Sequence, residues 1–226
     1  MPSYRASVQI YIFAVAALGL SLLTATWMAS QVILSQQIII TAILLLAISL
    51  ASEHYVITLP RGGDLAASTI PQIASIFILP LPLVLLITAT ATVIEDAISR
   101  KAWYKAMFNT GQMVLAVGVP AYLVDTVGPI ESLFVPGNAA RGLPVAIGAV
   151  VLYYTINTVL TNTVIALDRR TSVLGVWLAN NSTSVVLEFG MGIIGVLWAY
   201  MWLHDPVWSA LAICPALMAC RAFSHI

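Results

Sequence analysis

The chain has 226 residues, 61% of them hydrophobic and only 8% charged, with a formal net charge of zero. A soluble globular domain carries about 25% charged residues, so this composition excludes a water-facing surface over most of the chain. The neutral balance leaves no basic footprint for nucleic acid, and none is expected as a partner.

Apolar stretches long enough to cross a hydrocarbon core of about 30 Å recur along the whole sequence. The first covers 8–28, behind a single basic residue, Arg5. No small-x-small cleavage site separates it from the next run, so it reads as a span rather than a signal peptide. Ser30-Gln31 makes a turn, and a second span covers 32–50. The following connection carries Glu53, His54, Pro60 and Arg61-Gly62-Gly63-Asp64. That glycine pair lacks the spacing of a phosphate loop and reads as a turn.

Residues 65–97 are apolar throughout but hold Pro71, Pro80 and Pro82. As one helix this stretch would be about 50 Å long, too long for one ordinary span. Proline restricts itself and the residue before it, so Leu79-Pro80-Leu81-Pro82 divides the stretch into spans 65–79 and 83–97. Four more spans follow, at 102–124, 143–167, 184–203 and 207–220. Residues 171–179 form a short interfacial helix ahead of the seventh, and Asn180 to Ser184 supply its cap.

Basic residues concentrate in cytoplasmic loops. With eight spans and a cytoplasmic N-terminus, Arg5, Arg61, Arg100, Lys101, Lys105, Arg169, Arg170 and Arg221 lie inside and only Arg141 outside. Counting 65–97 once flips every later loop and divides the same nine residues six against three. The sequence therefore predicts an all-α, polytopic helix bundle of about eight spans in the inner (cytoplasmic) membrane. Both termini are expected in the cytoplasm, and 1–226 is one membrane-embedded domain.

Polar groups in hydrocarbon are costly unless partnered, so they face inward. Asn109 and Gln112 share one face of span five. Asn157 and Thr161 share a face of span six, with Asn162 about 140° away. Asn181, Ser184 and Glu188 form one stripe on span seven. These stripes either line a cavity for a small ligand or bond across helices, and the sequence leaves the two readings even. Asn109, Gln112, Asn157, Asn162, Asn181 and Glu188 are the candidate ligand-binding residues. Glu188 is the sharpest, because a charge near the bilayer centre costs roughly 2.5–3.5 kcal/mol.

Other features have plain readings. Asp96 and Arg100, four apart, are expected to pair at a helix end. Trp103 and Tyr104 read as an interfacial anchor, and Trp198, Tyr200, Trp202 and Trp208 as an aromatic belt. Gly190, Gly192 and Gly195 allow close helix approach. Cys214 and Cys220 read as packing residues. His54, His204 and His225 make no metal-ligand spacing, so no metal or cofactor is called for. No paired carboxylates, deep His or nucleophile–base arrangement points to catalysis, and the chain is read as a non-enzyme.

The stretch 59–122 combines a Leu-Pro-x-Gly-Gly turn, a proline-broken apolar hairpin, Asp96, Arg100, Trp103-Tyr104-Lys105, Phe108-Asn109 and Gln112. It resembles the multi-span membrane-associated sensor domains that begin bacterial HD-GYP and GGDEF signalling proteins. Asp96, Lys105, Asn109 and Gln112 are the positions that match the pattern. The resemblance implies a sensor that binds a small or lipophilic ligand in or near the membrane. It would regulate a cytoplasmic cyclic-di-GMP output domain, as a possible homodimer. No GYP, GGDEF or EAL motif occurs in the chain, and the lone His204-Asp205 pair lies in a turn rather than in an HD signature, so any output domain would lie beyond Ile226. The competing expectation is a small-molecule transporter, such as a vitamin-type substrate-binding subunit.

Overall fold

Ten elements account for the computed structural model, which describes residues 6–53, 56–58, 64–128, 135, 139–181, 184–206 and 209. Eight are helices: α1 (Ala6–Ala29), α2 (Gln36–Glu53), α3 (Thr69–Ile78), α4 (Leu81–Ile98), α5 (Trp103–Val127), α6 (Ala139–Arg169), α7 (Val173–Asn180) and α8 (Val185–His204). Between α2 and α3, β1 (Val56–Thr58) pairs antiparallel with β2 (Asp64–Ala66). Six of the helices are long and apolar enough to cross a membrane: α1, α2, α4, α5, α6 and α8. The protein is a helical membrane bundle.

Helix α5 is the hub, packing against α1, α4, α6 and α3. Its contact with α1 depends on two glycines. A Cβ built on Gly111 would stand 2.6 Å from the Ala16 Cα and 2.7 Å from the Val15 carbonyl oxygen. With no hydrophobic drive between helices in lipid, such close backbone approach is what holds them together. Gly195 does the same where α8 crosses α3, since a Cβ there would stand 2.7 Å from the Ile70 carbonyl oxygen.

One expected span is replaced by something shorter. Residues 65–79 were predicted to cross, but α3 has ten residues, about 15 Å of helix, half of a hydrocarbon core. Strand β2 takes residues 64–66 instead. Leu79 and Pro80 then turn the chain into α4. Ile78, Leu79 and Pro80 line one depression with Gln37, Asp125 and Trp202, so α3 fills only the half of the bundle nearest that end. Every residue from Thr69 to Phe77 is buried. The predicted span 207–220 lies outside the described residues, apart from Ser209.

Charge separates the two ends. Lys101 and Lys105 at the start of α5 line a groove with Asp168 near the end of α6, and Arg169 and Arg170 follow directly. At the opposite end Arg141 donates to the Val127 carbonyl at 2.9 Å. Among the described residues, Arg100, Lys101, Lys105, Arg169 and Arg170 therefore share one end, and Arg141 stands at the other.

Two local expectations are corrected. Asp96 pairs with Lys101, at 2.6 Å, rather than with Arg100. The reason is the helix stop: Arg100 takes a left-handed φ of 50°, and the Lys101 amide bonds back to the Asp96 carbonyl at 2.9 Å. This Schellman turn folds Lys101, not Arg100, over the carboxylate. Trp198 is not part of an exposed belt. It is buried, and its indole N–H donates to the Ser209 carbonyl at 3.0 Å.

Candidate functional site

Around the Thr69 end of α3 the described lining of the bundle is polar. A cavity of about 230 Å³ lies there, walled by the ends of α2 and α4 and by α3, α5, α6 and α8. Its lining includes Glu53, Thr69, Gln72, Glu95, Asp96, Lys101, Asn109, Gln112, Tyr153, Asn157 and Glu188. Lys101, 41% exposed, marks the mouth at the basic end. Tyr153 and Gln72, both buried, mark the floor.

Each wall contributes through a bond that the local fold dictates. Asp96, only 2% exposed, sits in the last turn of α4. The α4–α5 turn brings Asn109 opposite it, and the Asn109 amide donates to both carboxylate oxygens at 3.2 and 3.1 Å. One turn deeper on α5, the Gln112 side-chain N–H donates to the Asn157 side-chain oxygen on α6. One turn from Asn157 on α6, the Tyr153 hydroxyl donates to the Gln72 side-chain oxygen on α3 at 2.6 Å. These bonds form a continuous polar ladder from the mouth to the floor. Glu188, in the first turn of α8, faces it.

The carboxylates are unequally satisfied. Asp96 holds an ammonium and an amide. Glu95 accepts from the Ser99 hydroxyl at 2.8 Å through one oxygen, while its other oxygen is buried with no hydrogen-bond partner among the described residues. Among the described residues, four carboxylates and one ammonium line the chamber.

Of the residues singled out from the sequence, Asp96, Asn109, Gln112, Asn157 and Glu188 converge on the cavity. Asn162 and Asn181 do not line it. They bond to each other at 2.9 Å, and Asn162 also donates to the Thr158 carbonyl at 2.7 Å, so their role is to tie α6 to the end of α7. Lys105 lies in the neighbouring groove with Tyr104, Thr161 and Asp168. Sequence reasoning missed Glu53, Gln72, Lys101 and Tyr153 as lining. Gln72, a long amide inside an apolar run between Pro71 and Ile73, is the signal that could have revealed the floor.

Fold and cavity together define a polytopic helical membrane protein with an internal polar chamber opening toward its basic end. Comparison with protein-family models, curated proteins and solved structures finds no match to the chain.

Proposed function

We propose that this chain is a membrane-embedded signal-input domain that receives a small, positively charged polar ligand. In this reading it regulates a cytoplasmic cyclic-di-GMP output domain joined beyond Ile226. The observation that carries the reading is the chamber beneath α3. A bundle that needed only interhelical bonds has no reason to leave about 230 Å³ of polar space at membrane depth. The excess of carboxylates over ammonium groups among the described lining residues supports a cationic ligand, because carboxylates without a charge partner in a low-dielectric site favour one. The basic end is assigned to the cytoplasm by the five-to-one division of Arg and Lys among the described residues. With α3 and its approach counted as a crossing, and 207–220 as the last, the chain crosses the inner membrane eight times with both termini inside. Ligand entry would repack α3 and α8 about Glu188 and shift a two-state equilibrium.

The test is thermal unfolding of the detergent-solubilised protein against a panel of small ammonium, neutral and anionic solutes. An ammonium solute should raise the midpoint of the wild type, and Glu188→Gln and Asn109→Ala should abolish that rise while folding without ligand. If no solute moves the wild type, or if both variants respond unchanged, the chamber is not a binding site.

One observation favours a transporter as the second reading. Broken or half-length helices that end at a mid-membrane site recur in secondary transporters, and α3 is such a helix. Uptake of the same solute into proteoliposomes separates the two readings, because a sensor binds without moving its ligand across.

A further inference from the structure

Helix α7 stands apart from the packed spans. It follows the end of α6, where Asp168, Arg169, Arg170, Thr171 and Ser172 are all exposed. Arg170 takes a left-handed φ of 56°, and the Thr171 amide bonds back to the Ala166 carbonyl at 3.0 Å. That stop turns the chain sharply, and Ser172 caps α7 by accepting from the Gly175 amide at 3.0 Å. Val176 is buried against the bundle and fixes how α7 rolls. Val173 and Leu174 then face outward, 39% and 65% exposed, with Leu178, 53% exposed, one turn further on, and half-buried Trp177 sits beside them against Tyr154 of α6.

Depth follows from the bond that ends α7. Asn181 is held by Asn162, seven residues before Arg169 and so about 10 Å below it along α6. Trp103 and Tyr104, at the start of α5, share this end of the bundle and make an edge-on ring contact at 6.0 Å. An apolar face that enters a bilayer by about 5–10 Å, with arginines at its upper edge, is the arrangement of an interfacial helix reading the headgroup layer. Charge complementarity selects the headgroup: Arg169 and Arg170 are exposed at the head of α7, with Asp168 the opposing acid beside them, while Arg100 and Lys105 are exposed elsewhere at the same end.

We infer that α7 with Arg169 and Arg170 is a binding surface for anionic phospholipid, in which the guanidinium groups hold the phosphate and Val173, Leu174 and Leu178 lie among the first acyl carbons, with Trp177 beside them as a reporter. The surface is mechanically joined to the chamber. The Asn181 carbonyl accepts from the Ser184 and Val185 amides at 3.2 and 3.1 Å, and the Glu188 amide bonds to Ser184 at 2.9 Å. Seating α7 therefore positions the first turn of α8, which carries Glu188. This inference does not depend on the chamber having a ligand.

The test uses the full chain in micelles titrated with phosphatidylglycerol or phosphatidylcholine carrying brominated acyl chains. Quenching of Trp177 is taken as the difference between wild type and Trp177→Phe. Phosphatidylglycerol should quench at about thirty-fold lower mole fraction than phosphatidylcholine, the preference that two surface arginines confer. Arg169→Gln/Arg170→Gln should erase that preference, and Arg100→Gln/Lys105→Gln should keep it. High salt, which needs no variant, should shrink it in the wild type. Equal quenching by the two lipids, a preference that survives the 169/170 change or high salt, or one lost equally with the 100/105 change would overturn the inference.

Discussion

The bond from Tyr153 to Gln72 gives the most direct measure of what the polar ladder contributes. Both residues are buried, at 3% and 8% exposure, and the hydroxyl donates to the amide oxygen at 2.6 Å. Tyr153→Phe keeps the ring and removes the donor, leaving a buried amide oxygen without it. Gln72→Met keeps length and removes the acceptor, leaving a buried hydroxyl. Stranding a buried polar group costs about 1–3 kcal/mol in soluble proteins, whereas interhelical hydrogen bonds in membranes average about 0.6 and reach about 1.7 kcal/mol. Each single change should therefore destabilise by about 1–2 kcal/mol. The double variant strands neither partner of the pair and should cost less than either single change, giving a coupling energy of about 1–2 kcal/mol. Unfolding in mixed micelles with increasing denaturing detergent measures all four proteins. If the double variant loses the sum of the two single losses, the pair is not coupled and the floor of the chamber is not built as described.

Two further predictions test its mouth and its frame. Lys101→Met should destabilise more than Asp96→Asn, because the first leaves a carboxylate that is 2% exposed without its ammonium, while the second leaves a lysine that is 41% exposed and rehydrates; the same unfolding assay sinks the idea if the order is reversed. Gly111→Ala should cost at least about 1–3 kcal/mol, the range for overpacking, because the added carbon meets only α1 backbone, at 2.6 to 3.0 Å. Gly19→Ala demands the same separation of α1 from α5, since its Cβ would stand 2.6 Å from the Gly111 Cα. The two losses should therefore be less than additive, and full additivity would show that the helices do not share one contact.

What the sequence made legible follows from which physical signals are local. Hydropathy is a property of a window, so α1, α2, α4, α5, α6 and α8 coincide with predicted spans to within a few residues. Face arithmetic holds wherever a helix is continuous: Asn109 and Gln112, three apart on α5, do reach the same chamber. The stripe Asn181–Ser184–Glu188 fails because it assumes a continuous helix, and the chain breaks between α7 and α8. Asn181 is therefore carried to Asn162 while Glu188 alone enters the cavity. The shortness of α3 was hidden for a different reason. An apolar run of a given length has the same hydropathy whether it crosses the bilayer or stops half way, and only its surroundings decide.

Those surroundings explain why the chamber exists at all. A ten-residue helix enclosed on all sides leaves about half of a membrane's thickness to be filled by something else. The cavity there opens at the basic end, and an empty apolar void would forfeit packing on every wall. The walls facing it instead carry Glu53, Gln72, Asp96, Asn109, Gln112, Asn157 and Glu188, groups that are costly there unless they bond one another, water or a ligand. The short helix and the polar lining thus imply one another. Lengthening α3 by apolar residues at its Thr69 end would fill the space and should strand that lining, whereas the same insertion into α4 would leave the vacancy in place.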